Sequence, residues 1–320
     1  VRNPSGEILI SRRKHSAHQG GLWEFPGGKV EGGETVEVAL ARELKEELNI
    51  RVEKTSPLIQ IHFSYPELDV QLDVRSVEAF SGGVRACEGQ PIQWVRPDRL
   101  HRFSFPAANK PIITAARLPR YYAILEGDSI DALKTNLRLI LAKGIQLVQL
   151  RAKSLPASAV DAFLAYVSPI CKKNGIQLIL NSAIQGGEDF QADGVHLTSQ
   201  DLILMQNRPC NKTWVSASCH NLEELHHAEK IGVDFAVLAP VMPTNTHPDA
   251  RVLGWDRFAQ LVSHVNLPVY ALGGLSSNDV SASVWYGAQG GAGIRTFLED
   301  KPFLIQDGAT HRLYAVFRAG

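Results

Sequence analysis

The sequence predicts an α/β protein of two domains, the larger of them a closed (β/α)8 barrel of the TIM type. Three observations support this. At 320 residues the chain is longer than one compact core usually serves. Its texture changes near residue 115, from short apolar runs broken by Gly/Pro loops to a regular rhythm of apolar run, polar turn and amphipathic helix. Within that rhythm come eight β-rich apolar runs, the number that closes a barrel of parallel strands.

Taken in order, Val1 leads straight into Arg2-Asn3-Pro4-Ser5-Gly6, a turn signature of the kind that follows a strand, so we expect the first strand to be cut short. Ile8-Leu9-Ile10 reads as the next strand, and one clear helix runs from about Thr35 to Leu48. Residues 1–115 form the first domain and residues 116–120 the linker. The barrel, residues 121–298, takes its runs from Tyr122–Leu125, Leu147–Leu150, Gln177–Leu180, Gly194–Leu197, Trp214–Ala217, Phe235–Leu238, Pro268–Leu272 and Gly291–Ile294. An open doubly wound sheet is the competing topology. Residues 299–320, ending Tyr314-Ala315-Val316-Phe317-Arg318, fit neither texture.

Lys+Arg and Asp+Glu both number 33, so there is no net charge. That argues against a broad basic face for polymeric nucleic acid, while leaving room for a local phosphate site. Four cysteines without a CxxC pair or zinc spacing read as free thiols, consistent with a cytoplasmic location. No run of about 18 apolar residues predicts a membrane span.

The chemistry concentrates on the helix. Glu43, Glu46 and Glu47 stand at i, i+3 and i+4, so they share one face. Leu40, Leu44 and Leu48 form the neighbouring stripe and dock it. Three like charges this close repel one another, and a hard cation such as Mg2+ relieves the repulsion, because it prefers oxygen ligands. A solvated acidic face is the plain alternative for an isolated ExxEE. The glycine loop upstream (Gly28, Gly32, Gly33), with Glu34 and Arg42, argues for the metal.

Gly28 to Ile50 resembles the Nudix box, G-x5-E-x7-R-E-U-x-E-E-x-G-U with U aliphatic, through Gly28, Glu34, Arg42, Glu43, Leu44, Glu46, Glu47 and Ile50. Asn49 stands where the family has glycine, and Asn is the residue that best tolerates the left-handed helix cap required there. The resemblance implies an α/β/α sandwich around a mixed sheet and an Mg2+-dependent pyrophosphohydrolase, with Mn2+ as alternative ion. It makes Glu43, Glu46, Glu47 and the Gly28 carbonyl the metal ligands. Glu34 and Arg42 then tie loop to helix.

Further motifs resemble the MutT branch of that family, the 8-oxo-dGTP diphosphatases: Ser11-Arg12-Arg13, His18, Trp23 to Gly28, Glu88-Gly89-Gln90 with Trp94, and Phe105 to Pro111. The resemblance places Arg13, His18, Phe25 and Asn109 on a nucleotide and makes Glu88 a further metal ligand or general base. It implies release of pyrophosphate and a nucleoside monophosphate, a role in sanitising the nucleotide pool for DNA replication and repair.

Residues 121–298 resemble the thiamine-phosphate synthase and TenI barrels. Gln149, Arg151 and Lys153 match a pyrophosphate-binding QxRxK, and Asp201, after Gly194-Val195-His196-Leu197, matches a magnesium ligand. Asn181, Ser218, Thr244, Thr246, Gly273 and Gly274 fall at the remaining site positions, all near C-terminal strand ends where barrel enzymes place their chemistry. Ser182 replaces a metal carboxylate, His247 replaces a lysine, and Gly293-Ile294-Arg295 replaces a small phosphate-binding turn. These departures point to a degenerate barrel that binds a thiazole phosphate or thiamine-phosphate type of ligand, with an active synthase as the alternative. Three functional readings result: an 8-oxo-dGTP diphosphatase, a hydrolase of another nucleotide or thiamine-related diphosphate, and a barrel that senses a phosphorylated ligand.

Overall fold

The computed structural model describes residues 1–3, 5–187, 190–209, 212–244 and 251–298, and residues 313–319 as backbone. It divides into two compact units, Val1–Arg117 with Gln306–Gly320, and Leu118–Ile305. Of the tail that fitted neither sequence texture, residues 313–319 belong to the first unit. Cys87, Cys171 and Cys219 are free thiols, and Cys210 lies outside the described residues. No described helix is long and apolar enough to cross a membrane.

In the first unit β1 (Ile8–Arg12) pairs antiparallel with β2 (Trp23–Glu24) on one side and β5 (Ile92–Val95) on the other. A second sheet is built from β3 (Arg51–Ser64), β4 (Asp69–Ser81) and the C-terminal β14 (Leu313–Ala319), which pairs antiparallel with β4 from Leu313 opposite Ser76 to Ala319 opposite Val70. Alternation along β1 sorts residues into two cores. Ile8 and Ile10 pack with Phe25, Ile61 and Ile112, on the side of helix α2 (Lys110–Arg117), while Leu9 packs with Leu40, Leu44 and Leu48 of helix α1 (Val36–Leu48). Helices on both faces give the expected layered arrangement.

Helix α1 begins where Thr35, in extended backbone, accepts a hydrogen bond from the Val38 N–H. It ends at Asn49, whose φ of 55° is left-handed and whose N–H donates to the Leu44 and Lys45 carbonyls. Lys45 Nζ donates to Asn49 Oδ1 at 2.8 Å. The substitution of Asn for Gly in the box is thus absorbed by the side chain best suited to it. Leu40, Leu44 and Leu48 are fully buried, each worth roughly 1.5–3 kcal/mol, and this anchors the acidic face at the edge of the core.

The second unit is a closed barrel of eight parallel strands, so the open-sheet alternative is excluded. In order these are β6 (Tyr121–Leu125), β7 (Leu147–Leu150), β8 (Gln177–Asn181), β9 (Gly194–Leu197), β10 (Trp214–Cys219), β11 (Phe235–Leu238), β12 (Val269–Ala271) and β13 (Gly290–Gly293). Closure comes from β13 pairing with β6, Gly291 opposite Tyr121. Tyr122, Trp214, Phe235 and Tyr270 fill the interior, and the opposite strand faces pack outward against the surrounding helices.

Candidate active site

The acidic face of α1 is organised by Arg42. Its Nε and Nη2 bond Glu34 Oε1 and Oε2 at 2.8 and 2.9 Å, a fork that clamps the preceding loop onto the helix. Nη2 also donates to the Lys29 carbonyl at 3.0 Å and Nη1 to Glu43 Oε1 at 3.0 Å. The Arg42 bonds, then the Glu31 backbone N–H, hold the Glu34 carboxyl down to about 2.

Gly28 faces Glu43 directly. A Cβ built on Gly28 would lie 2.0 Å from the Glu43 carboxyl carbon and Oε1, so glycine lets the loop cross this carboxylate without displacing it. Glu47 sits deeper. Burial, and then the negative charges of Glu24, Glu43 and Glu88, raise its pKa to about 8, against a weaker opposing bond from the Gly27 backbone N–H. Its Oε2 is sealed from solvent without a hydrogen-bond partner among the described residues.

Among the described residues, no three His, Cys, Asp or Glu side chains are gathered closely enough to hold a metal ion as they stand. Glu43 is held by Arg42, and Glu46 is 57% exposed with Arg42 Nη1 3.6 Å away. The donor set nonetheless fits a hard cation: an orphaned buried carboxylate oxygen, in a group whose pKa is raised by burial and then by three neighbouring carboxylates, is what a divalent ion would satisfy and neutralise. Glu88 comes from the loop after β4. The loop is pinned to the C-terminal end of α1 by Cys87 N–H to the Glu47 carbonyl at 2.9 Å and Gln90 Nε2 to the same oxygen at 3.2 Å. Lys14 Nζ pairs with Glu88 at 3.0 Å.

Beside the helix opens a cleft of roughly 370 Å3 whose lining includes Arg13, His18, Lys29, Tyr65, Asp69 and Asn109. Three of the four residues expected on a nucleotide are thus brought together. Arg13 forms an ion pair with Glu24 and donates Nε to the His18 carbonyl at 2.9 Å. The His18 ring meets Tyr65 edge-on at 5.0 Å. Asn109 is 5% exposed, in a short turn whose Ala108 N–H donates to the Tyr65 hydroxyl at 3.3 Å. Phe25 does not line the cleft: it is buried in the core, stacked on Phe105 at 5.4 Å.

At the barrel mouth a polar layer caps the aromatic interior. Gln149 Nε2 donates to the Tyr122 hydroxyl at 3.0 Å, and Asn181 Nδ2 to Gln149 Oε1 at 2.8 Å. His196 shares hydrogen bonds with Ser216 at 2.8 Å and Ser218 at 2.9 Å. Burial, then the Arg151 and Lys153 charges, push His196 down to about 3, so it is neutral. Arg151 forms an ion pair with Glu126. Burial, then Arg151, lower the pKa of Lys153. Asp201 accepts from the hydroxyls of Ser182 and of Thr198 (2.7 Å), and these bonds, Ser182 first, hold its pKa down.

Gly274 has φ +64°, and a Cβ there would lie 2.2 Å from the Pro243 carbonyl oxygen, so glycine alone fits. Gly273 precedes it at φ +107°, and Thr244, the residue after Pro243, is half-buried. Asn245, Thr246 and His247 lie outside the described residues.

Two carboxylates escaped the sequence analysis. Glu24 lies inside a quoted motif, yet only the fold brings it to Glu47. Glu126 directly follows β6, and the rule that barrel sites gather at C-terminal strand ends could have flagged it.

A glycine-walled carboxylate helix beside a nucleotide-sized cleft defines a pyrophosphohydrolase of the Nudix class, joined here to a thiamine-phosphate-synthase-like barrel. Residues 1–115 match the family model described as NUDIX domain and residues 121–297 that of thiamine monophosphate synthase, and the chain belongs to both families. It is 40% identical over 120 residues to the 8-oxo-dGTP diphosphatase of Escherichia coli (strain K12), covering 38% of this chain and 92% of that one. Over 184 residues it is 36% identical to a protein of Aquifex aeolicus (strain VF5) named as a second thiamine-phosphate synthase, covering 57% of this chain and 99% of the relative. The thiamine-phosphate synthase of Fusobacterium nucleatum is 29% identical over 160 residues, 49% of this chain and 78% of its own.

Proposed function

We propose that the first unit hydrolyses 8-oxo-dGTP to 8-oxo-dGMP and pyrophosphate, with Mg2+ as cofactor and Mn2+ as substitute, so sanitising the cytoplasmic nucleotide pool. The observation that carries this reading is the cleft, where the buried amide of Asn109 has no protein partner among the described residues. Oxidation at C8 turns N7 of guanine from an acceptor into an N–H donor. The Asn109 carbonyl can accept from N7–H while its NH2 donates to O6, a pairing that plain guanine cannot complete. The 40% identity to the Escherichia coli diphosphatase supports the same substrate.

Glu43, Glu46, Glu47 and the Gly28 carbonyl would hold the ion, which when bound polarises the phosphate and lowers the pKa of an attacking water. Arg42 keeps loop and helix in register. Arg13 and Lys29, from the cleft wall, neutralise phosphate charge. Glu88, whose charge reaches Glu47, would accept a proton from water. For the barrel we propose binding of a phosphorylated small molecule of the thiazole phosphate or thiamine-phosphate type.

A chromatographic product assay across 8-oxo-dGTP, the ordinary dNTPs, ADP-ribose and thiamine diphosphate, each with and without Mg2+, tests the hydrolase reading, the products being nucleoside monophosphate and pyrophosphate, AMP and ribose 5-phosphate, or thiamine phosphate and phosphate. A metal-dependent preference for 8-oxo-dGTP is the expected outcome. A preference for thiamine diphosphate would overturn it in favour of a thiamine-related hydrolase.

A further inference from the structure

We infer that Glu126 is an internal counter-anion at the barrel mouth: by holding Arg151 it fits the mouth to a single phosphate group bound without a divalent cation, not to a metal-bound diphosphate. This rests on the reading of the barrel as a phosphate-binding module and deepens it by naming the anion class.

Two strand ends fix the pair. The Arg151 N–H donates to the Leu125 carbonyl at 2.9 Å, and Asn136 Nδ2 donates to the Glu126 carbonyl at 2.8 Å, so both backbones are held where the side chains meet. Both side chains are only about a third exposed, at 31% and 27%. An incoming anion must therefore displace Glu126 from the guanidinium or share it with a carboxylate, and the penalty grows with the anion's charge.

Among the described residues, the metal that a diphosphate would bring finds no matching site. Ser182 offers a hydroxyl where the resemblance calls for a carboxylate, and that hydroxyl donates to Asp201 while accepting from the Thr198 N–H at 3.0 Å. Asp201 Oδ2 is thereby engaged by two hydroxyl donors, which leaves this carboxylate only Oδ1 to offer an ion. Arg151 and Lys153 are balanced by Glu126 and Asp201, and Lys153 is the cation of this set without an ion pair among the described residues. One unpaired lysine suits one phosphate. A diphosphate carries more charge than this set can match.

The test is peptide-resolved hydrogen exchange on the full chain, reading residues 147–155 and 194–204 apart from the hydrolase unit. Probes are thiazole phosphate and inorganic pyrophosphate, each titrated in Mg2+ and in EDTA. We expect thiazole phosphate to protect these peptides with the same midpoint in either condition, and Mg2+-pyrophosphate to need ~10-fold more. Glu126→Gln, with Glu126→Ala as a second variant should the first unfold, should narrow that gap by about tenfold. Protection by Mg2+-pyrophosphate at or below the thiazole phosphate midpoint would overturn the inference. So would a gap unmoved by both variants, or no protection by the monoester. The hydrolase panel is unaffected by any of these results, so failure here and failure of the hydrolase reading are distinguishable.

Discussion

Replacing Gly28 by alanine separates folding from catalysis at this site. The added Cβ would start 2.0 Å from the Glu43 carboxyl carbon. Ordinary van der Waals contact begins near 3.4 Å, so the carboxylate must retreat by about 1.4 Å. Glu43 is the flexible end of a surface-edge side chain, and its retreat costs little beyond the 3.0 Å bond from Arg42, worth about 1 kcal/mol. The Gly28 backbone is not in the left-handed region, so alanine is tolerated and even lowers the entropy of the unfolded chain by an offsetting ~0.4–1 kcal/mol. Stability should therefore change by less than about 1 kcal/mol. Catalysis should not be so forgiving: an error of about 1 Å in a reacting constellation costs on the order of 100-fold. The Gly28 carbonyl is retained, so the loss reports on Glu43 alone. The assay pairs steady-state 8-oxo-dGTP hydrolysis at saturating Mg2+ with a melting curve in EDTA. A variant with parental kcat would refute the placement of Glu43 in the metal site. A variant that melts far below the parent would show instead that Gly28 serves folding.

Glu47 makes the first unit pH-dependent in a defined direction. Its pKa in the folded chain, about 8, lies above the ordinary 4.5, so this group stabilises the metal-free fold fully below pH 4.5 and progressively less as pH rises to 8. A metal must ionise it, so binding at pH 7 should expel a proton and tighten as pH rises towards about 8. Mn2+ calorimetry in two buffers of different ionisation heat reads this, and zero proton release in the parent would sink it. Glu46→Gln removes one ligand charge while keeping the shape. Because Glu46 is 57% exposed, the melting temperature should hold while hydrolysis falls at least ~100-fold, and parental turnover would show that this helix is not the metal site. Asn109→Ala should lose ~10–100-fold of the preference for 8-oxo-dGTP over dGTP in kcat/KM, and an unchanged ratio would remove Asn109 from base recognition.

Local patterns carried much of this protein. The i, i+3, i+4 carboxylates, the leucine stripe beside them, the Thr35 cap and the Asn49 stop are set by residues within a turn or two of each other, and α1 forms where that spacing places it. Eight apolar runs in a βα rhythm likewise mark eight strands, because a strand buried on both faces must be apolar along its length. What periodicity cannot carry is long-range partnership. Closure of β13 onto β6 joins residues about 170 apart, and it turns an ambiguous α/β pattern into a barrel. The tail, opaque as sequence, becomes an edge strand only because β4 presents unpaired backbone to it.

The same distinction runs through the sites. Helical spacing in the sequence put Glu43, Glu46 and Glu47 on one face, and the resemblance to the Nudix box proposed them as metal ligands. Only the tertiary structure decided that Glu24 and Glu88 crowd Glu47 and raise its pKa, that Phe25 belongs to the core while Tyr65 and Lys29 wall the cleft, and that Glu126 reaches Arg151. A side chain's charge state and partner depend on distance and burial across separate segments, and a single local stretch of chain fixes neither.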